Sequence, residues 1–370
     1  MAISRYSDTT NLKIVYYLGA GASYNAVPIQ EKLGNGMIEA SNQIKTIIGN
    51  TDVINQDKYQ RLKHEANKLN EVAEDLYYFG LKATEFGSLD IYARRLYLLG
   101  LIDELDRLKF TASTFFTFWE NLLFKGQPMD RDKRQYYSNI DKRYLSLLSV
   151  LLEPTQGGNP KLNENVTFIS WNYDLQLEKA YQTFMRDKES DFINVNKSFN
   201  FLNTDYPGVK RDIIHLNGFS GVFKDESKHF SVLSDSRIDK KEDFLLDILD
   251  NVNDFRDHKS MYRNYINYAW ENNKNRDAAK KIMSEADVLV IIGYSFPAFN
   301  RRIDTDLIDS FRGGKGLTEV IYQDPAASDD IMNSFFGSNN NSVTINRDIP
   351  KQFYIPHEFL NPKSAEKMVF

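Results

Sequence analysis

The chain has 370 residues, 46 of them basic and 51 acidic, for a formal charge of −5, and at roughly 150 residues per domain it is long enough for two or three folding units. A composition 42% hydrophobic and 26% charged excludes wholesale disorder, the absence of cysteine excludes disulfides, a thiol nucleophile and cysteine-ligated zinc, and the acidic balance argues against a dedicated nucleic-acid surface. The longest aliphatic stretch, Val288 to Ile292, is far short of the about 20 residues a bilayer requires, and MAISRYSDTTNLK at the N-terminus has no apolar signal-peptide core, so a soluble, cytoplasmic protein is expected.

In chain order, Leu12 to Leu18 (LKIVYYL) is a short apolar, β-branched and aromatic run that ends in GAGAS, the pattern of a buried strand. From about Met37 to Leu152 helical patterns dominate. Ser88 is placed to cap a helix with Asp90 in its first turn. Ile91, Leu98 and Ile102 would mark its apolar face, with Tyr92, Leu96 and Leu99 beside it. Thr111 would cap another helix carrying Phe115, Trp119 and Leu122.

Strand signals return at Val166 to Ser170 (VTFIS), with a helical pattern from Asp174, and again at Asp212 to Leu216 (DIIHL). Asp239 to Glu285 is charged and reads as mostly helical. Asp287 to Ile292 and Glu319 to Tyr322 look like buried parallel strands, and Val343 to Ile345 is one more candidate. The Asn-rich stretch from Ser338 to Ser342 reads as a surface turn. Strands separated by helices predict an α/β fold, a Rossmann-like parallel sheet flanked by helices. Residues 1–36 and 156–370 would form that domain, and 37–155 a large all-helical insertion.

Five motifs sit at predicted strand ends. Gly19-Ala20-Gly21-Ala22-Ser23 allows a sharp backbone turn whose N–H groups, with the next helix N-terminus, suit a dinucleotide pyrophosphate. Tyr24 stands where the third glycine of GxGxxG would be, and no Gly-Lys-Ser/Thr follows; a tight turn without a ligand is the plainer alternative. In Ser170-Trp171-Asn172-Tyr173-Asp174, an amide and a carboxylate two positions apart either orient water or a ribose hydroxyl, or simply cap the following helix. His215, in IIHLNG, would stand at a pocket edge, where an imidazole suits general-base work; a satisfied core histidine is the alternative.

Gly293-Tyr294-Ser295-Phe296-Pro297 repeats the strand-then-small-residue pattern and would hold the far half of a dinucleotide. Asp324, after EVIYQ, is a strand-end carboxylate of the kind that accepts ribose hydroxyls. Arg312-Gly313-Gly314-Lys315-Gly316 precedes a strand and reads as a flexible loop. His64, His229, His258 and His357 show no metal-ligand spacing, so no metal is expected.

In this order the motifs resemble the sirtuin-like superfamily and, more closely, the bacterial sirtuin-like NAD hydrolases that act as effectors in anti-phage defence. GAGAS, WNYD, the histidine of IHLNG and IIGYSFP (Ile291 to Pro297) carry the resemblance, and SLDIYARRLYL (Ser88 to Leu98) is similar to that group's helical insert. The resemblance implies that Gly19, Ala20, Gly21, Ala22 and Ser23 cradle the NAD pyrophosphate. It implies that Asn172 orients the attacking water with Asp174 in support, that His215 is the catalytic base, and that Gly293, Ser295 and Asp324 line the adenosine end.

The deacylases' four zinc cysteines are missing, Val27-Pro28-Ile29-Gln30 replaces their Ile-Pro-Asp-Phe-Arg, and Asn217 stands where the family often has histidine. Protein deacylation is therefore not expected. The expected activity is hydrolysis of NAD, consumed as substrate, to nicotinamide and ADP-ribose. Such an enzyme must be restrained, and the aromatic-rich helical segment suggests a homo-oligomer or a defence-system partner protein. The alternatives are a non-catalytic subunit that binds NAD or ADP-ribose, and a Rossmann dehydrogenase, which the missing third glycine disfavours.

Overall fold

The structure is a computed structural model that describes residues 12–50, 56–121, 140–186, 192–202, 210–223, 229–230, 233, 242–243, 245–250, 263–271, 274–314, 319–337 and 342–356. Its centre is a six-stranded sheet of β1 (Ile14–Leu18), β2 (Val166–Ser170), β3 (Ile213–His215), β4 (Val288–Ile292), β5 (Glu319–Gln323) and β6 (Val343–Asn346). The spatial order is β3-β2-β1-β4-β5-β6, and every neighbouring pair is parallel. This is the doubly wound, Rossmann-like α/β arrangement, in which the chain leaves β1 toward one edge of the sheet and later returns to build the other. Two-residue pairings, Leu152–Glu153 with Lys161–Leu162 and a small antiparallel set around Val222–Phe223, lie outside the main sheet.

Among the described residues the helices of seven residues or more are α1 (Gln30–Gly49), α2 (Ala66–Phe86), α3 (Leu89–Leu98), α4 (Ile102–Asn121), α5 (Lys142–Leu151), α6 (Gln176–Gln182), α7 (Phe192–Ser198), α8 (Asn275–Glu285), α9 (Arg301–Arg312) and α10 (Asp329–Phe336). Side chains of a strand alternate between faces, and β1 shows it: Ile14, Tyr16 and Leu18 join a core with α5, α6 and α7. Val15 and Tyr17 join a second core with α8, α9 and α10 on the opposite face. Both faces being covered explains why β1 and β4 read as unbroken apolar runs and why β2, VTFIS, is buried along its whole length. The helices α1 to α4 build a third core around Met37, Ile44, Leu76, Phe79, Leu96 and Phe115.

Several sequence expectations change. The Ser88 hydroxyl caps α3 by accepting the Ile91 N–H, but the buried face is Leu89, Tyr92, Ala93 and Leu96. Ile91, Leu98, Leu99 and Ile102 are exposed, Leu98 at 66%. Counting from Leu98 to Ile102 at helical spacing failed because Gly100, at φ +68°, breaks the helix between them. Thr111 is no cap: it lies inside α4 with its hydroxyl donating to the Arg107 carbonyl one turn back. The apolar spacing of Leu105, Leu108 and Ala112 carries the helix through it.

The 239–285 segment is helical at 245–250 and Asn275–Glu285 but holds a strand pair at Arg263–Asn264, and much of it lies outside the described residues. Leu122, Lys315, Gly316, most of the 338–342 turn, His258 and His357 also lie outside them. No helix among the described residues is long and apolar enough to cross a membrane.

A buried polar cluster ties the sheet to α9. The Asp304 carboxylate, without solvent exposure, accepts the Tyr17 hydroxyl at 2.6 Å and the Tyr294 hydroxyl at 3.0 Å. Those hydroxyls in turn accept Trp171 Nε1 at 2.7 Å and Asn300 Nδ2 at 3.0 Å. Burial pushes the Asp304 carboxyl up to about 7, an effect the two tyrosine hydrogen bonds partly oppose. A carboxyl raised above its unfolded value favours the folded state fully at low pH. That advantage is lost as pH climbs from about 4, where the unfolded chain ionises, through about 7. Asp304→Asn keeps an acceptor for both hydroxyls but cannot ionise. Its melting temperature should therefore fall less than that of the wild type between pH 5 and pH 8, measured by differential scanning fluorimetry; parallel curves would mean that Asp304 is already ionised in the fold.

Candidate active site

Strand register places the five motifs on one edge. His215, Ser170, Leu18, Ile292, Gln323 and Asn346 lie in a single row across the sheet. The GAGAS, WNYD, LNG, GYSFP and DP segments therefore all leave the carboxyl edge at the same height. The sheet changes its direction of growth between β1 and β4, and ligands of such sheets gather beyond that point.

At that point two turns interlock. Gly21 N–H donates to the Gly293 carbonyl at 2.8 Å, Gly19 N–H to the Ile292 carbonyl at 3.0 Å, and Ala22 N–H to the Gly19 carbonyl at 2.9 Å. A Cβ at Gly293, whose φ is +61°, would stand 2.2 Å from the Ala22 nitrogen. One at Gly19 would stand 2.5 Å from the Gly293 carbonyl oxygen. The glycines are thus required for close approach of two backbones.

The helix expected to follow directly is a single 3-10 turn, Ala20–Ser23, and α1 starts only at Gln30. Pro28 explains the delay, since it holds the preceding residue out of helical geometry. Three of the N–H groups expected to face a phosphate are engaged within the protein, and Ala20 is the exposed residue of the turn.

Ser23, expected beside a phosphate, is buried and joins the turn to the WNYD loop. Its hydroxyl donates to Asp174 Oδ1 at 2.9 Å, accepts Asn172 Nδ2 at 3.3 Å and lies 3.2 Å from the Tyr144 hydroxyl. Asp174 Oδ1 also accepts the Gln176 N–H at the start of α6, so the capping role read from the sequence is present as well. Although no arginine follows the glycine turn in sequence, Arg143 reaches it from α5. Its guanidinium donates to the Gly21 and Ala22 carbonyls at 3.3 and 3.1 Å and pairs with Asp141.

Beneath the turn lies a cavity of about 10 Å³, bounded by Tyr144, Ser170, Asn172, Asp174, Glu178 and His215 together with Leu18, Leu177 and Ile213. That volume is at the lower limit for one water molecule and far below the roughly 300 Å³ of a ligand pocket. His215 Nε2 lies 2.6 Å from Glu178 Oε1, both side chains being at most 3% exposed. His215 Nδ1 and Asn172 Oδ1 are buried and have no hydrogen-bond partner among the described residues. Native proteins rarely leave two such acceptors unfilled, and a water held between polar groups is the usual resolution.

The surroundings are acidic. Burial raises Asp174 to about 6, with the Gln176 N–H and Ser23 hydroxyl opposing and the Glu178 charge adding to the rise. Burial and then Asp174 raise Glu120 to about 8, and burial lowers Lys179 to about 8 against the pull of Glu120. Glu120 accepts Gln176 Nε2 at 2.8 Å and the Leu175 N–H at 3.3 Å.

The sequence-derived residues thus fall into two groups. Asn172, Asp174 and His215 meet around the cavity, with Ser23 bound to the first two, and Gly19 to Ala22 and Gly293 form the interlock above it. Ser295 is exposed, and Asp324 folds its own Asp-Pro turn by accepting the Ala326 N–H at 2.7 Å. Neither reaches the cavity.

Sequence reasoning missed Glu178 and Tyr144. The signal for Glu178 was available: a carboxylate one helical turn after Asp174, with Leu175, Leu177, Ala180 and Tyr181 around it in the sequence. No family model matches this chain, and no curated protein does.

Gly293→Ala should destabilise the protein by more than about 3 kcal/mol, since its Cβ meets backbone that cannot swing aside. Urea denaturation followed by tryptophan fluorescence measures it, and a cost under about 1 kcal/mol would show that the turns do not meet this closely.

Proposed function

We propose that the protein is a sirtuin-like NAD+ glycohydrolase that cleaves NAD+ to nicotinamide and ADP-ribose. One observation carries the reading. A histidine and an asparagine, each with a buried polar atom that has no partner among the described residues, share one water-sized cavity at the carboxyl ends of three neighbouring parallel strands, beside a glycine turn. The four motifs that resemble sirtuin-like NAD hydrolases supply the substrate class, and on that reading the helices between β1 and β2 are that group's insertion.

The chemistry asks little of the protein beyond placement. Nicotinamide leaves as a neutral molecule, taking the electron pair of the glycosidic C–N bond and leaving an oxocarbenium-like centre on the ribose. Water adds to that carbon, and His215 accepts the proton the water releases. Asn172 holds the water, Ser23 and Asp174 hold Asn172, and the exposed face of the glycine turn at Ala20 takes the pyrophosphate. No metal or redox cofactor enters the scheme. General-base assistance of this kind is worth about a hundredfold to ten-thousandfold, with positioning supplying more.

The small size of the cavity also fits a restrained enzyme. Room for one water means that the nicotinamide ribose enters only after the loops above it part. A homo-oligomer or a defence partner that opens them would make the protein a cytoplasmic anti-phage effector that depletes NAD on infection. The same small size favours a second reading, a subunit that binds NAD or ADP-ribose without turnover.

Chromatographic assay of nicotinamide release from NAD+ separates the two. The expected result is equimolar nicotinamide and ADP-ribose, with kcat reduced about a hundredfold or more in His215→Ala and in Asn172→Ala, each variant assayed well below its own melting temperature. Tight ADP-ribose binding with no nicotinamide released, alone or with the product of a neighbouring gene, would favour the binding subunit.

A further inference from the structure

We infer that Glu178 is a positioning residue that locks His215 in the tautomer with hydrogen on Nε2. Nδ1 is then left to accept a hydrogen from a water that Asn172 shares. The catalytic meaning of this rests on the hydrolase reading, whereas the tautomer itself does not.

A 2.6 Å contact between His215 Nε2 and Glu178 Oε1, both buried, needs one proton between them. An ionised carboxylate only accepts, so a neutral imidazole must carry its hydrogen on Nε2. The other nitrogen is then a bare acceptor, as is Asn172 Oδ1, whose own Nδ2 is committed to Ser23.

A hydrogen on Nδ1 would have no protein acceptor among the described residues, and a water answering it would turn a lone pair toward the ring instead of an O–H. A water has two O–H groups for the two bare acceptors, which turns its oxygen lone pairs away from both and toward an incoming electrophile. The Phe219 ring packs edge-on at 5.3 Å between centroids, and the His215 carbonyl is fixed by Asn275 Nδ2 at 2.9 Å.

Glu178 touches no substrate in this scheme; it acts through His215. The same pairing logic holds the histidine of serine hydrolases, where a carboxylate on one ring nitrogen frees the other for proton transfer.

Nitrogen-15 histidine NMR of the whole protein at pH 7.5 tests the assignment, with His215→Asn identifying the signal among the five histidines. The expected wild-type pattern is a protonated Nε2 and a bare Nδ1. In Glu178→Gln, whose amide can either accept or donate, the pattern should become mixed. There kcat for nicotinamide release should fall about a hundredfold with KM within about threefold, and Glu178→Asp should recover part of it.

A wild-type spectrum with hydrogen on Nδ1, or on both nitrogens, overturns the proposal without any variant. So does a Glu178→Gln protein that keeps both the tautomer and kcat. If the wild type shows the expected tautomer yet releases no nicotinamide under any condition, the hydrolase reading falls and the tautomer assignment stands.

Discussion

The hydrogen bond from Gly21 N–H to the Gly293 carbonyl is the constraint on which the site depends. It joins the turn after β1 to the turn after β4, across the line where the sheet changes its direction of growth. Backbones this close leave no space for a Cβ on either side. With the turn fixed, Ser23 is carried inward, where its hydroxyl meets Asp174 and Asn172. The WNYD loop is thereby anchored to a strand end some 150 residues earlier in the chain, and His215, level with Ser170 in the sheet, completes the ring of side chains. One turn-to-turn contact therefore determines where several polar groups from distant segments come to rest.

The second property of the site is its management of buried acid. Asp174, Glu178 and Glu120 lie close together with little access to water, and Asp304 lies on the other face of the sheet. Burying a carboxylate is costly unless hydrogen-bond donors surround it. The donors here are mostly neutral: tyrosine hydroxyls for Asp304, a serine hydroxyl and a backbone N–H for Asp174, a glutamine amide for Glu120. Neutral donors hold a carboxylate in place without cancelling its charge, which is why burial still raises Asp174, Glu120 and Asp304. The Arg143–Asp141 pair is the contrasting case, a buried cation with its counter-ion, and it braces the carbonyl side of the glycine turn.

What the sequence revealed follows from which interactions are local. Strands buried on both faces announce themselves as apolar runs, so β1, β2 and β4 were legible to within two residues. The Ser88 cap was legible because capping involves residues three apart. The buried face of α3 was not, because Gly100 interrupts the helical count, and the difference between a covered leucine and an exposed one is decided by distant packing. At the site, the strand-end position of each motif could be read, but the partners could not. The reach of Arg143 to the glycine turn, the meeting of Ser23 with Asn172 and the pairing of Glu178 with His215 all span segments that only the sheet order brings together.

The central place of β1 has a consequence for how the chain is made. Ile14 pairs with Val166 on one side and with Val288 on the other, 152 and 274 positions later. At about 5 to 20 residues per second of synthesis, the strand waits roughly 15 to 55 s for its second neighbour to be translated. Meanwhile α1 to α4 can gather around their own core, since all of their contacts in that cluster except those to Tyr173 and to residues 245–270 lie within the first third of the chain. The emerging polypeptide therefore completes a helical body early and closes its sheet late, leaving an uncovered apolar strand on the ribosome for most of translation.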